Sequence, residues 1–184
     1  MHDDFTSAKQ FISYIPDQPF LYDKLSGREF LEFVGRLYGL DPRECKARID
    51  EMLELFEATP YADHLAETYS HGMKQKIVFA AALLHDPKVI VLDEPMVGLD
   101  PKSIRLVKDV LRERAQQGVT IFMSTHTLSV AEELADRIGI IHRGKLLFCG
   151  SKDELRGARE VRGWLEDVFL ELTREESTMV DVTN

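Results

Sequence analysis

The chain predicts an α/β fold built on a parallel sheet, and three observations predict it. Val89-Ile90-Val91-Leu92 is a short apolar, β-branched run that ends in two carboxylates and a proline, Asp93-Glu94-Pro95. Such a run reads as a strand buried on both faces, so the acids emerge at its C-terminal end, where open parallel sheets place their ligands. A second apolar run, 120–124, predicts another buried strand and delivers Thr125 and His126. Around these runs lie segments with apolar residues at helical spacing, each with its own start and stop signals.

The elements follow in order. Ile12-Ser13-Tyr14-Ile15 reads as a short strand ended by Pro16, with a loop running to Leu25. Ser26 with Glu29 three residues later is a capping box, and the helix it opens has Phe30, Phe33, Val34 and Leu37 as apolar positions. Asp41-Pro42 with Glu44 starts a second helix, with Cys45, Ile49, Met52, Leu53 and Phe56 on one face. Ser70 precedes an alanine- and leucine-rich helix that ends near His85-Asp86-Pro87. Pro101 and Gly118 bracket an amphipathic helix over 102–117, with Ile104, Val107, Val110 and Leu111 inward. Residues 137–150 read as two short strands around Arg143-Gly144, and Ser151 with Glu154 caps a small helix. Trp164, Leu165, Val168, Phe169 and Leu172 form one more apolar helical face, and 174–184 is a polar tail expected to fray.

Composition bounds the function. With 44% hydrophobic and 30% charged residues and a net charge of -9, the chain can build a core but offers no basic field for nucleic acid, and no nucleic-acid partner is expected. Cys45 and Cys149 lie far apart without metal-type spacing, so reduced, buried thiols are expected. No apolar stretch approaches the roughly 20 residues that span a bilayer, and Met1-His2-Asp3-Asp4 is no signal sequence. The expectation is a chain neither secreted nor integral to a membrane.

Several residue groups carry chemistry. At the strand end, Asp93 sits where it can hold a metal ion directly or through water, and Glu94 where it can polarise a water; a solvated turn is the plain alternative. Ser70 is at least an N-cap, but first-turn amides and the helix dipole also attract phosphate, and Gly72 lets backbone approach closely. His71 is expected to face solvent. Asp100 caps the helix after Gly98-Leu99, and His126 is either structural or a hydrogen-bond partner for developing charge. Asp17, beside Gln18 in the loop after the first strand, is either a carboxylate ligand for a hard cation or the acidic tip of a turn.

Taken in their order and spacing, Tyr69-Ser70-His71-Gly72-Met73, the Asp93-Glu94 strand, Gly98-Leu99-Asp100 and Ser124-Thr125-His126 resemble the nucleotide-binding domain of ABC transporters, from about Phe11 to Thr173. The resemblance implies a P-loop NTPase-like sheet with a helical subdomain. Tyr69 to Met73 is similar to the LSGGQ signature in variant form, the acid-bearing strand to Walker B, 98–100 to the D-loop, His126 to the switch histidine and 16–22 to the Q-loop. In the Q-loop pattern the metal-contacting glutamine directly follows Pro16, and here Asp17 stands in that place.

The implied layout is a partial ABC ATPase domain over 1–173, with a helical subdomain at 24–70, a Walker B, D-loop and switch-histidine core at 71–150, and C-terminal helices at 151–173. The implied cofactors are ATP and Mg2+. Glu94 and His126 would be catalytic, Asp93 and Asp17 would hold metal, Ser70, Gly72 and Met73 would bind the γ-phosphate of an opposing subunit, and Asp100 would couple the two sites of a head-to-tail dimer. The implied partners are a second ABC ATPase subunit and a membrane permease, which Phe20, Leu21 and Tyr22 would contact, at the cytoplasmic face of the cell membrane. The string Leu-Glu-Asp-Val-Phe-Leu-Glu-Leu-Thr at 165–173 resembles the end of exporter-type ATPases.

No GxxxxGK[ST] phosphate loop occurs in the 184 residues, and the expectation is that the family's Walker A precedes the start of this chain. In that architecture the phosphate-loop strand lies between 119–123 and 138–141, so the isolated chain is expected to be marginal or to associate unless another polypeptide supplies it. Three alternatives stand: a partner that supplies only the signature in trans, a remnant of a longer gene, and a soluble ABC protein of translation or DNA repair, for which a tandem copy and a basic arm are lacking.

Overall fold

A computed structural model describes residues 8–157 and 165–170. The chain divides into two units, Met1–Ser124 and Thr125–Asn184.

The first unit holds a parallel sheet of β1 (Ile12–Ile15), β2 (Val89–Asp93) and β3 (Thr120–Ser124), in that order. Ile12 aligns with Val89 and Val89 with Thr120, and the register ends with Asp93 level with Ser124. The central strand has one fully buried face, Ile90 and Leu92, and one half-buried face, Val89 and Val91. Burial on both faces, expected for this strand, is therefore only partial. The expectation fails more clearly for β3, where Phe122 is 66% exposed. An apolar run records that a strand is compatible with burial, not which of its faces is covered. Among the described residues β3 is an edge strand that pairs with β2 on one side only, and 138–141 pairs with 146–150.

Helices α1 (Gly27–Leu37), α2 (Pro42–Leu55), α3 (His71–Leu83) and α4 (Pro101–Gln116) also belong to this unit. Their starts follow the local chemistry. Ser26 and Glu29 form the reciprocal capping box, with Glu29 N–H donating to Ser26 Oγ (3.2 Å) and Ser26 N–H to Glu29 Oε2 (2.8 Å). Asp41 caps α2 ahead of Pro42, and Asp100 caps α4 ahead of Pro101. On α2 the expected stripe is buried, from Cys45 to Phe56.

The expected stripe of α1 is rotated. Phe30, Leu31 and Gly35 face the core, whereas Phe33 and Leu37 are exposed, Leu37 by 69%. Gly35 is the reason: a Cβ there would lie 2.3 Å from Cys45 Sγ, so α1 and α2 meet across a contact only glycine permits. At the far end of α3, His85 stacks on Tyr38, with ring centroids 3.5 Å apart and planes 9° apart. Ser13 of β1 donates to the Ala82 carbonyl and lies 3.4 Å from His85 Nε2, which ties sheet to helices.

The second unit contains α5 (Leu128–Leu134), the antiparallel pair β4 (Arg137–His142) and β5 (Lys145–Ser151), α6 (Lys152–Gly157) and α7 (165–170). Arg143 (φ 46°) and Gly144 (φ 77°) both take positive φ, the requirement of a two-residue hairpin turn whose twist matches its strands. Ser151 and Glu154 cap α6 reciprocally. Ile138, Ile140, Leu155, Leu165 and Val168 form its core. Cys45 is buried as expected, but Cys149 is exposed, because its position on β5 points outward. Trp164, Leu172 and the polar tail lie outside the described residues.

Candidate nucleotide site

The C-terminal end of the sheet gathers the acids. Asp93 is the last residue of β2, half-buried, and its Oδ1 accepts a short hydrogen bond from Ser124 Oγ on the neighbouring strand. Glu94 follows in the left-handed region, φ 45°, a conformation uncommon for a residue with a side chain. Two bonds hold it there: its N–H donates to the Ser124 carbonyl (3.1 Å), and its own carbonyl accepts from Val97 N–H (3.2 Å). The result is a tight turn that ends the strand and re-aims the second carboxylate. Such strained positions concentrate at functional sites.

Asp17 leaves β1 at the same end of the sheet, since Ile15 is level with Leu92, and it accepts from Gln18 Nε2 (3.3 Å). Among the described residues no three His, Cys, Asp or Glu side chains converge into a ready-made metal cage. That donor set still suits Mg2+, which binds through one or two carboxylates and completes its shell with waters and substrate phosphates. Ser124 is the member that sequence reading missed as a site residue, because its partnership with Asp93 depends on strand register.

A second cluster forms around the start of α3. Ser70 Oγ accepts from Met73 N–H (3.3 Å); Ser70 is exposed and the first turn, 71–74, is half-buried at the positive end of the helix dipole. Tyr69 is anchored just behind it. Its hydroxyl accepts from Gly27 N–H (3.0 Å) and lies 2.7 Å from the Tyr61 carbonyl and 3.0 Å from that of His64. Burial pushes the Tyr69 phenol up from its ordinary value.

His71 does not simply face solvent: its Nε2 lies 3.3 Å from the Val97 carbonyl, and its ring covers Gly98. Asp100 accepts from the N–H groups of Lys102 (2.9 Å) and Ser103 (3.0 Å) and from Ser103 Oγ (2.6 Å). The Ser103 hydroxyl bond is the main cause that holds its carboxyl below the usual range. Glu57 spans the two helices, bonded to Lys102 at 2.7 Å and paired with Lys76 at 4.0 Å.

His126 is the second residue of the second unit, exposed, two residues beyond Ser124 in the chain. Thr127 N–H donates to Thr125 Oγ1 (3.0 Å) beside it. Ser70, Gly72, Met73, Asp93, Glu94 and Asp100 all belong to the first unit.

The sequence profile of the ABC transporter family matches residues 1–97, more than half of the chain. The chain belongs to that family. A solved chain described as the ATP-binding subunit of an ABC transporter superimposes with a TM-score of 0.86 at 32% identity, covering 94% of this chain and 72% of that one. The α/β, P-loop NTPase-like fold of ABC ATP-binding domains, with its parallel sheet, is thus the fold of this protein.

Among curated ABC relatives, the linearmycin resistance ATP-binding protein LnrL of Bacillus subtilis is 39% identical over 80% of this chain and 48% of its own length. The ABC-type transporter ATP-binding protein EcsA of the same organism is 34% identical over 90% of this chain and 67% of its own. The daunorubicin resistance ATP-binding protein DrrA3 of Streptomyces coeruleorubidus is 39% identical over 82% and 47%. The chain spans about half the length of most of these ABC proteins. Among the described residues no helix is long and apolar enough to cross a membrane.

Proposed function

We propose that the chain is the hydrolysing part of an ABC transporter's ATP-binding subunit, coupling MgATP hydrolysis to transport through a separate permease. The observation that carries this reading is the strand end, where Asp93 is fixed by Ser124 and Glu94 is turned out of the sheet by its left-handed backbone. Mg2+, when bound, supplies charge neutralisation for the β- and γ-phosphates. Asp93 would hold it, with Asp17 as a further oxygen donor. Glu94 accepts a proton from, or orients, the attacking water, and His126 donates to the γ-phosphate as charge shifts. The phosphate grip comes from residues outside these 184, which contain no GxxxxGK[ST].

The start of α3 serves a different nucleotide. Ser70, Gly72 and Met73 present helix N-terminal backbone to a γ-phosphate held by a second, head-to-tail subunit, and Asp100 couples the two sites. The permease docks on the aromatic surface where Phe20 (67% exposed), Tyr22 and Phe33 pack edge to face; Leu21, expected to join it, is buried. The protein then works at the cytoplasmic face of the membrane. Resistance is part of the names of LnrL and DrrA3, which supports export as the direction of transport.

A second reading keeps only the trans role: the chain supplies Ser70 and Gly72 to an ATP held by an intact subunit. It is favoured by the start of α3, which Ser70 caps through Met73 N–H. MgATP turnover in a mixture with an intact ABC ATP-binding subunit separates the two. Loss of turnover when Glu94→Gln is placed in this chain alone supports hydrolysis at its own acids. Survival of turnover in Glu94→Gln, with loss in Ser70→Ala, supports the trans role.

A further inference from the structure

His71 stands where the LSGGQ-type signature has glycine, so its side chain is an addition that the phosphate-binding reading does not use. It is also the side chain through which the start of α3 touches the loop after the acids. Nε2 lies 3.3 Å from the Val97 carbonyl, and because a carbonyl only accepts, that nitrogen carries the proton. The ring lies against Gly98: a Cβ there would be 2.3 Å from His71 Cδ2 and 2.7 Å from Nε2. Gly98 also has φ +74°, so space and backbone both demand glycine under the imidazole.

Two further features bring this region together. A Cβ on Gly72 would be 3.5 Å from the Gly98 carbonyl and 3.9 Å from Leu99 Cδ2, so the start of α3 faces this loop at a spacing that one methyl group would fill. Glu57, itself at φ 54°, pairs with Lys76 of α3 and Lys102 of α4. The loop between is short and ends in the Asp100 cap, whose bonds to 102 and 103 fix its downstream side. Its upstream side is held at Glu94, whose N–H reaches Ser124. Between these fixed points the His71 ring bonds the Val97 carbonyl.

We infer that His71 is a positioning residue: by seating on Gly98 and bonding Val97 O, it fixes the 97–100 turn relative to the signature turn of the same chain. A phosphate that engages Ser70 and Gly72 from an opposing subunit then displaces the turn that bears Asp100, and through Val97 N–H the backbone of Glu94. The inference rests on the proposed function for its consequence, but not for the contact itself.

The contact is tested on the free chain by hydrogen exchange of the amides of 97–100, comparing wild type, His71→Ala, His71→Gln and Gly98→Ala. Gln carries an N–H at nearly the reach of Nε2. Exchange about fivefold faster in His71→Ala and Gly98→Ala, with restoration in His71→Gln, is the expected result, the factor being that of one ordinary hydrogen bond. Unchanged exchange in His71→Ala overturns the inference.

The coupling is tested by MgATP turnover in the mixture with an intact ABC ATP-binding subunit, with Glu94→Gln run alongside. A lower kcat at unchanged KM in His71→Ala, recovered in His71→Gln, supports it. Full turnover in His71→Ala where Glu94→Gln is inactive overturns the coupling and leaves the functional reading intact. Turnover insensitive to Glu94→Gln overturns the hydrolytic reading instead, while the exchange data still decide the contact.

Discussion

At the scale of residues, the protein spends its polar contacts on holding a few groups in fixed places. Asp93 is immobilised by Ser124, Tyr69 by four backbone partners and Asp100 by Ser103. One poorly accommodated titratable group is His85. Burial pulls its pKa down, partly opposed by the nearby Ile12 backbone and Asp86, while Arg48 acts with burial. Its Nδ1 is buried with no hydrogen-bond partner among the described residues. A group whose folded pKa lies below its unfolded value is held neutral by the fold. His85 therefore contributes nothing to pH dependence well above its unfolded value of about 6.5 and costs stability as pH falls from there toward its lower folded pKa. Asp100, Glu57, Glu29 and Glu154, all depressed by their bonding partners, keep their contribution through that window and lose it only as pH falls through their folded values, below the usual carboxylate range. Thermal melts are expected to fall between about pH 7 and 5, and His85→Gln is expected to flatten that first decline while leaving the acid limb below about pH 4.

At the scale of elements, what could be read from the sequence was what is local. Both Ser-x-x-Glu capping boxes, the Asp-Pro helix starts and the Arg143-Gly144 turn depend on neighbours within four residues, and each occurs where the spacing predicts. The face of α1 depends instead on what lies opposite. Periodicity offered Phe33 and Leu37 as inward positions, but the close approach at Gly35 turns the small-residue side toward α2 and leaves the two larger residues outside. Gly35→Ala forces a methyl group into Cys45 Sγ and is expected to destabilise the chain by about 1–3 kcal/mol, the usual cost of overpacking. Urea denaturation measures it. Gly35→Ala combined with Cys45→Ala, which makes room, is expected to recover part of that loss. The Asp93–Ser124 bond, the Glu57 bridge and the His71–Val97 contact were equally illegible, since each joins segments more than 18 residues apart.

At the scale of the molecule, the sheet is the feature that sequence described in outline and misjudged in cover. Three parallel strands were legible as three apolar runs, but β3 is an edge with Phe122 66% exposed, and Tyr14 on β1 is also outward. An edge strand with an apolar outer face is a template for pairing with another chain. Concentration-dependent association is expected in sedimentation or light scattering, and Phe122→Lys is expected to reduce it without lowering stability, since the side chain it replaces is not in the core. At this scale the sheet aims two carboxylates, and the most direct test isolates the second. MgATP affinity and turnover are measured for the chain assembled with an intact ABC ATP-binding subunit, with and without Glu94→Gln in this chain. The account predicts unchanged nucleotide affinity and turnover reduced by about a hundredfold or more, the usual share of a positioned general base. Turnover unchanged by Glu94→Gln would contradict it.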